Sequence, residues 1–151
     1  MVHLKKIYLL LLVAMAFAIP KPMIAQQDLQ INKVFDQYGK KKGVIMVQLN
    51  KEMLSNYDFS FFKSIVISND PEAIEFARKC IAIDQEGAKK IKQIVQSGEV
   101  TSTVLQLPPK GDENRLILYN ESLGNKKEIT LIYIESKKDV EEIMTTILKK
   151  K

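Results

Sequence analysis

Val100-Thr-Ser-Thr-Val-Leu-Gln-Leu107, Arg115-Leu-Ile-Leu-Tyr-Asn120 and Glu128-Ile-Thr-Leu-Ile-Tyr-Ile-Glu135 decide the fold of this chain. Each run is short and rich in β-branched or aromatic residues, the composition of a strand. Pro108-Pro-Lys-Gly-Asp-Glu-Asn114 between the first two has hairpin-loop chemistry, and Leu123-Gly-Asn125 marks the next turn. Strands joined so closely return beside one another, which predicts an antiparallel meander.

Downstream, Ser136 with Asp139 makes a capping-box-like start. Val140, Ile143, Met144, Ile147 and Leu148 then mark an amphipathic helix, with Lys149 to Lys151 at its negative end. Upstream, Asp70-Pro71 opens a helix with a cap and a proline at the first position. Ile74, Ile81, Ala88 and Val95 recur every seven residues beside the row Ala77, Asp84 and Ile91. That predicts one helix over 71–97, or two in line with a break between Asp84 and Gly87.

Ser64-Ile-Val-Ile-Ser68 and Val44 to Leu49 read as strands. Asn50 between them can cap a helix carrying Met53, Leu54, Tyr57 and Phe61. Ile31, Val34, Phe35 and Tyr38 fall at helical spacing, within a first helix over 28–40 that starts at Asp28 and ends near Gly39. The order α-β-α-β-α-β-β-β-α predicts an α+β domain with a mostly antiparallel sheet of four or five strands packed with helices. In Ile129 to Ile134 and in Val44 to Val47 apolar side chains point both ways, as in strands covered on both faces. Either helices lie on both sides, with the first helix as the second cover, or one face meets a partner.

The chain opens with Met1-Val-His-Leu-Lys-Lys, then an apolar run from Ile7 to Ile19, then Pro20-Lys-Pro and Met23-Ile-Ala-Gln26. That order of parts is a secretory signal peptide, expected to be cut after Ala25. A spanning helix needs roughly 20 apolar residues, and this run has thirteen before Pro20. Removing 25 of the 151 residues leaves 126, a single domain over 26–151. Three lysines leave too, so 20 Lys and Arg remain against 18 Asp and Glu, a formal +2 in place of +5. A nucleic-acid binder carries a stronger basic bias.

His3, the only histidine, leaves with the leader, and Cys80 is the only cysteine. The remaining domain has no internal disulfide and cannot build a Ser-His-Asp or Cys-His site, a His-ligated metal site or a zinc cluster. No cofactor is expected.

The leader ending in Ala25-Gln26, Gly43-Val-Ile-Met-Val47, the Ser64 to Ser68 strand before a long helix, and the closing Glu128 to Glu135 strand with its helix at Val140 resemble a family of small exported proteins of unknown function from Gram-negative bacteria. The resemblance covers nearly all of the mature chain. It rests on core patterns, implies an α+β fold and an envelope location, and transfers no catalytic residue.

Tyr57, Phe59, Phe61 and Phe62 form the densest aromatic cluster and are the candidate ligand or partner surface, against the plainer role of anchoring helix to sheet. Cys80 has Arg78 and Lys79 beside it, yet sits between Ala77 and Ile81 where a small core residue belongs. Carboxylates are the remaining route to acid–base chemistry: Glu72 with Glu75, Asp84 with Glu86, and Glu135 with Asp139. Asp112-Glu-Asn114 reads as a turn before a calcium loop. The lysine groups are interleaved with acids and read as a solvated surface, with weak membrane-surface contact as the rival. Asn120-Glu-Ser122 matches a glycosylation sequon, and no glycine-rich phosphate loop occurs.

The balance of these residues favours an exported, periplasmic or extracellular, non-enzymatic binding or protein-interaction module. Its expected partner is another envelope protein or a small apolar ligand, and not a nucleic acid. The rival readings are a carboxylate-based hydrolase acting on envelope glycans and a membrane-surface or regulatory module.

Overall fold

A computed structural model of the chain describes residues 29–122 and 124–149. The leader, its cut site and the helix start at Asp28 lie outside the described residues. The elements run α1 (Ile31–Tyr38), β1 (Ile45–Asn50), β2 (Phe59–Ser68), α2 (Pro71–Glu86), β3 (Lys90–Gln96), β4 (Glu99–Lys110), β5 (Glu113–Glu121), β6 (Glu128–Ser136) and α3 (Val140–Leu148).

The six strands form one antiparallel sheet in the order β1-β2-β6-β5-β4-β3. The meander is therefore present as β4-β5-β6, and the β1–β2 hairpin docks against its last strand. The loop expected at 108–114 shrinks to a turn at Gly111-Asp112, because β4 continues through both prolines and Lys110 pairs with Glu113. Gly111 has φ +63°, which a two-residue hairpin turn asks of its first position.

Two expected helices change character. The α2 helix ends at Glu86, and residues 90–96 form a sixth strand where four or five were expected. The row Ile74, Ile81, Ala88, Val95 runs across the Gly87 break by coincidence of spacing. Lys90-Ile-Lys-Gln-Ile-Val-Gln96 is a β-branched stretch long enough to pair all along β4. The helix expected after Asn50 is only a 3-10 turn at Ser55–Tyr57. Asp58, at φ 55°, ends it in the left-handed region, and Phe61 belongs to β2. There Phe61 and Phe62 pair with both β1 and β6, and Phe59 pairs with β6.

Helices do cover both faces, but the covers differ from the expected ones. α1 does not cover the second face: it shares the first with α2, where Ile31, Val34, Phe35 and Tyr38 join Ile65, Ile67, Leu105, Ile117, Ile129 and Leu131 in the main core. Burying one such side chain is worth about 1.5–3 kcal/mol. α3 covers the opposite face through Ile143, packed with Leu54, Phe59, Leu116 and Ile134. Asp139 alone caps α3, its Oδ1 accepting from the N–H groups of Glu141 and Glu142 at 2.8 and 3.1 Å. Ser136 faces elsewhere: its hydroxyl donates to the Asp58 carbonyl at 2.9 Å and accepts from the Lys138 N–H.

Candidate functional site

The α3 face is where the sheet is incompletely covered, and simple lengths explain why. A nine-residue helix is about 13 Å long and about 10 Å wide. Six strands about 4.8 Å apart span roughly 24 Å, and nine residues of β6 run about 30 Å. One short helix cannot cover that area.

Pairing registers locate what stays open. α3 lies over the row Leu49, Phe62, Ile134 and Leu116, whose members oppose one another across β1, β2, β6 and β5. The next row is Val47, Ser64, Ile132, Leu118 and Val104. Beyond it run Ile45, Val66, Thr130, Asn120, Ser102 and Ile94. Ile45 is 64% exposed, Val47 39% and Ile94 55%. Ile132, Leu118, Val104 and Val66 are half-buried. Ile132, Leu118 and Val104 pack against the cluster under α3, so what stays open is the outermost row with Val47 beside it, a margin of aliphatic and small polar side chains without a charge.

A groove of about 920 Å³ opens at the N-terminal end of α3, walled by Lys51, Phe59, Lys137, Lys138, Glu142 and neighbouring polar residues. A smaller one, about 320 Å³, lies on the other side of that helix end, between Val140 and the strand residues Lys90, Lys92 and Val104. Their floor is tightly held. Asn114 donates its amide to the Lys138 carbonyl at 2.8 Å, and the Ser136 hydroxyl ties β6 to the Asp58 carbonyl. Two lysines of the larger groove are paired: Lys138 with Asp58 at 3.2 Å, and Lys137 with Asp112 at 3.0 Å. Lys137 holds the exposed Asp112 carboxyl below its ordinary range. Such a groove suits a peptide segment carrying both apolar and charged groups more than a single anion.

The four aromatic candidates separate. A register shift between Phe59 and Phe61 turns Phe59 onto the α3 face, where it is buried and lines the larger groove. Tyr57 is stacked on it with ring centroids 6.4 Å apart. Phe62 also packs under α3. Phe61 lies on the opposite face, edge-on to Tyr133 at 6.1 Å. Tyr57, Phe59 and Phe62 thus share a face, and Phe61 is core packing for the other.

The carboxylate candidates do not converge. Glu72 and Glu75 are exposed, and Glu75 pairs with Arg78. Glu135 accepts from the Tyr133 hydroxyl at 2.7 Å on the two-helix face, whereas Asp139 caps α3 on the other. Asp84 is buried and accepts from the Gln30 and Ile31 N–H groups at 2.8 and 2.9 Å. It caps α1 from a neighbouring helix, while Glu86 is exposed. Burial pushes the Asp84 carboxyl up, against the pull of its two backbone donors. Cys80 is buried in the main core, and desolvation pushes its thiol up rather than activating it.

Sequence reasoning passed over one repeated device. Tyr119 with Glu121 on β5, and Tyr133 with Glu135 on β6, each place a hydroxyl on the carboxylate two residues on. The Tyr-x-Glu spacing was the available signal, since residues two apart on a strand share a face. Arg78 of α2 binds Glu121 and locks that helix to β5. Among the described residues no group of three or more metal-ligating side chains converges. Nor is any helix among them long and apolar enough to cross a membrane.

No curated protein matches the chain. A family model does match, over residues 18–147 and hence over most of the length, including all six strands. The chain belongs to a family of unknown function (DUF6108).

Proposed function

We propose that this protein is an exported, non-enzymatic module of the cell envelope that binds another protein through its α3 face. One observation carries the reading: beyond the cluster packed under α3, the margin of that face keeps Ile45, Val47 and Ile94 exposed beside the half-buried Val66. Contiguous exposed apolar surface of this kind marks interaction sites. The groove beside Phe59 and Tyr57 extends the surface past the helix end. The export part of the reading is supported by the charged opening, the short apolar run and Ala25-Gln26.

The test is capture from an envelope fraction with three forms of the protein. Val47→Lys and Ile45→Lys place charge in the open strip, while Ile83→Lys alters an exposed residue of α2 on the other face. The expected result is a partner retained by the parent and by Ile83→Lys and lost by the two strip variants. Its footprint on the parent should slow amide exchange in β1, β2 and β6. Capture that survives both strip substitutions overturns the binding role. Amino-terminal sequencing of the exported protein should begin at Gln26; a start at Met1 overturns the export.

A further inference from the structure

β3 ends the sheet on one side, and all seven of its residues are exposed on both faces. A long open edge is a template for pairing with another chain, because every second residue presents free N–H and C=O groups. We propose that β3 pairs antiparallel with β3 of a second copy, about a two-fold axis at Gln93, joining two six-stranded sheets into one.

The register follows from symmetry and charge. Directly opposed residues of an antiparallel pair point to the same face. A two-fold axis normal to the sheet keeps each face on its own side. The axis must therefore pass through a residue and not between two. Placed at Lys92, it sets Lys92 against Lys92. Placed at Ile91, it sets Lys90 against Lys92. Both oppose like charges, which is destabilising. Placed at Ile94, it leaves Lys90 and Ile91 outside the strand pairing. Placed at Gln93, it pairs all seven residues: Ile91 opposes Val95 twice, Lys90 opposes Gln96, Lys92 opposes Ile94, and no lysine faces a lysine directly.

Two further observations favour that arrangement. Ile91 is 42% and Val95 59% exposed, and the pairing covers both, as one Ile–Val pair on each side of the central Gln93 pair. Lys92 already has a counter-ion in Glu141, at 3.2 Å on its own α3. The register shift beside Val95 is taken up by an extra β4 residue, since Ile94 pairs with Ser102 and Val95 with Val100. β3 itself keeps an unbroken alternation. The edge lysines, which elsewhere discourage pairing, here select one register. The same axis sets the α3 faces of both copies on one side of the joined sheet, so two open strips become a bivalent surface.

The test begins with sedimentation of the purified protein over a concentration series, where a reversible dimer is expected. Gln93→Lys sets like charges across the axis and should weaken the dimer by about fivefold, with the circular dichroism unchanged. Gln93→Cys gives a positive signal. Residues opposed at the axis have Cα atoms about 4.5–5.5 Å apart, within disulfide reach. Mild oxidation should therefore yield a covalent dimer. Lys90→Cys should not, since two copies of Lys90 lie six residues apart in this register, roughly 20 Å. A protein that sediments as a monomer throughout overturns the proposal. So does a dimer that is cross-linked by Val47→Cys on β1 and not by Gln93→Cys.

Discussion

Replacing Asp84 should detach α1 from the core, and the structure allows the cost to be worked out. Gln30 precedes α1 and offers no side-chain cap. The Asp84 carboxylate supplies one from α2 instead, accepting two backbone N–H groups at 2.8 and 2.9 Å while only 8% exposed. Asp84→Ala leaves the buried Ile31 N–H and the half-buried Gln30 N–H without this partner, at about 1–3 kcal/mol each with the second toward the low end. Relief of the desolvation that raises the Asp84 pKa offsets part of this. A net loss of about 2–4 kcal/mol follows. Asp84→Asn keeps one acceptor and should lose about half as much. Urea unfolding is the assay: with a slope of about 1–3 kcal/mol/M, the alanine variant should lower the midpoint by roughly 1–3 M. The parent also carries a pH signature. A carboxyl raised by folding stabilises the native state below its unfolded pKa, and that contribution is lost as pH rises through the folded value. Acidification from neutral pH therefore favours the parent through Asp84 and does nothing for asparagine, so the gap between them should widen. An alanine variant within about 0.5 kcal/mol of the parent would refute the cap. A gap that narrows in acid would refute the sign.

Glu121 should behave oppositely. Its pKa is lowered, first by the Arg78 side chain, so its contribution is present above the unfolded carboxylate range and is lost as pH falls through the folded value. Arg78 is half-exposed, so Arg78→Ala should cost only about 0.2–1 kcal/mol at neutral pH, and the difference should shrink in acid titration of the unfolding midpoint. Gly39→Ala should lower the melting temperature, because a Cβ there would sit 2.5 Å from the Phe35 carbonyl oxygen and closer still to the Met46 sulfur. Overpacking of this kind costs about 1–3 kcal/mol, and an unchanged melting temperature would show that the α1–β1 corner relaxes freely. Ser97 and Gly98 both have positive φ in the two-residue β3–β4 turn. Ser97→Asn should stabilise the protein by about 0.5 kcal/mol, since Asn-Gly suits such a turn, and a lower urea midpoint would contradict it.

Elements whose local pattern and tertiary role agree were legible from the residues alone. Val100 to Leu107 alternates, and its Thr101, Thr103, Leu105 and Leu107 are the buried set. Asp70-Pro71 and Asp139 open their helices as capping chemistry requires. Elements whose partners are distant in sequence were not. Phe59 to Phe62 has aromatic spacing that fits one turn of helix as well as a strand, and only pairing with β6, more than sixty residues on, resolves it. Lys90 to Gln96 has no buried face to impose a period, so nothing local separates it from a continuing helix. The candidate site was half visible. Composition pointed to the aromatics, but the irregularity that sends Phe59 and Phe61 to opposite faces exists only in the pairing of β2 with β6.

By itself the sequence determined the meander, the starts of α2 at Asp70 and α3 at Asp139, the absence of histidine chemistry from the domain after residue 25, and the doubly apolar Ile129 to Ile134 strand that needs cover on both sides. These follow from short-range physics: alternation, capping, turn preference and side-chain inventory. Tertiary structure decided which helix provides each cover, and therefore which surface remains. α1 and α2 share one face because Asp84 and the main core hold them together. That leaves a nine-residue α3 to cover the other face of a six-stranded sheet, and its length is too short to do so.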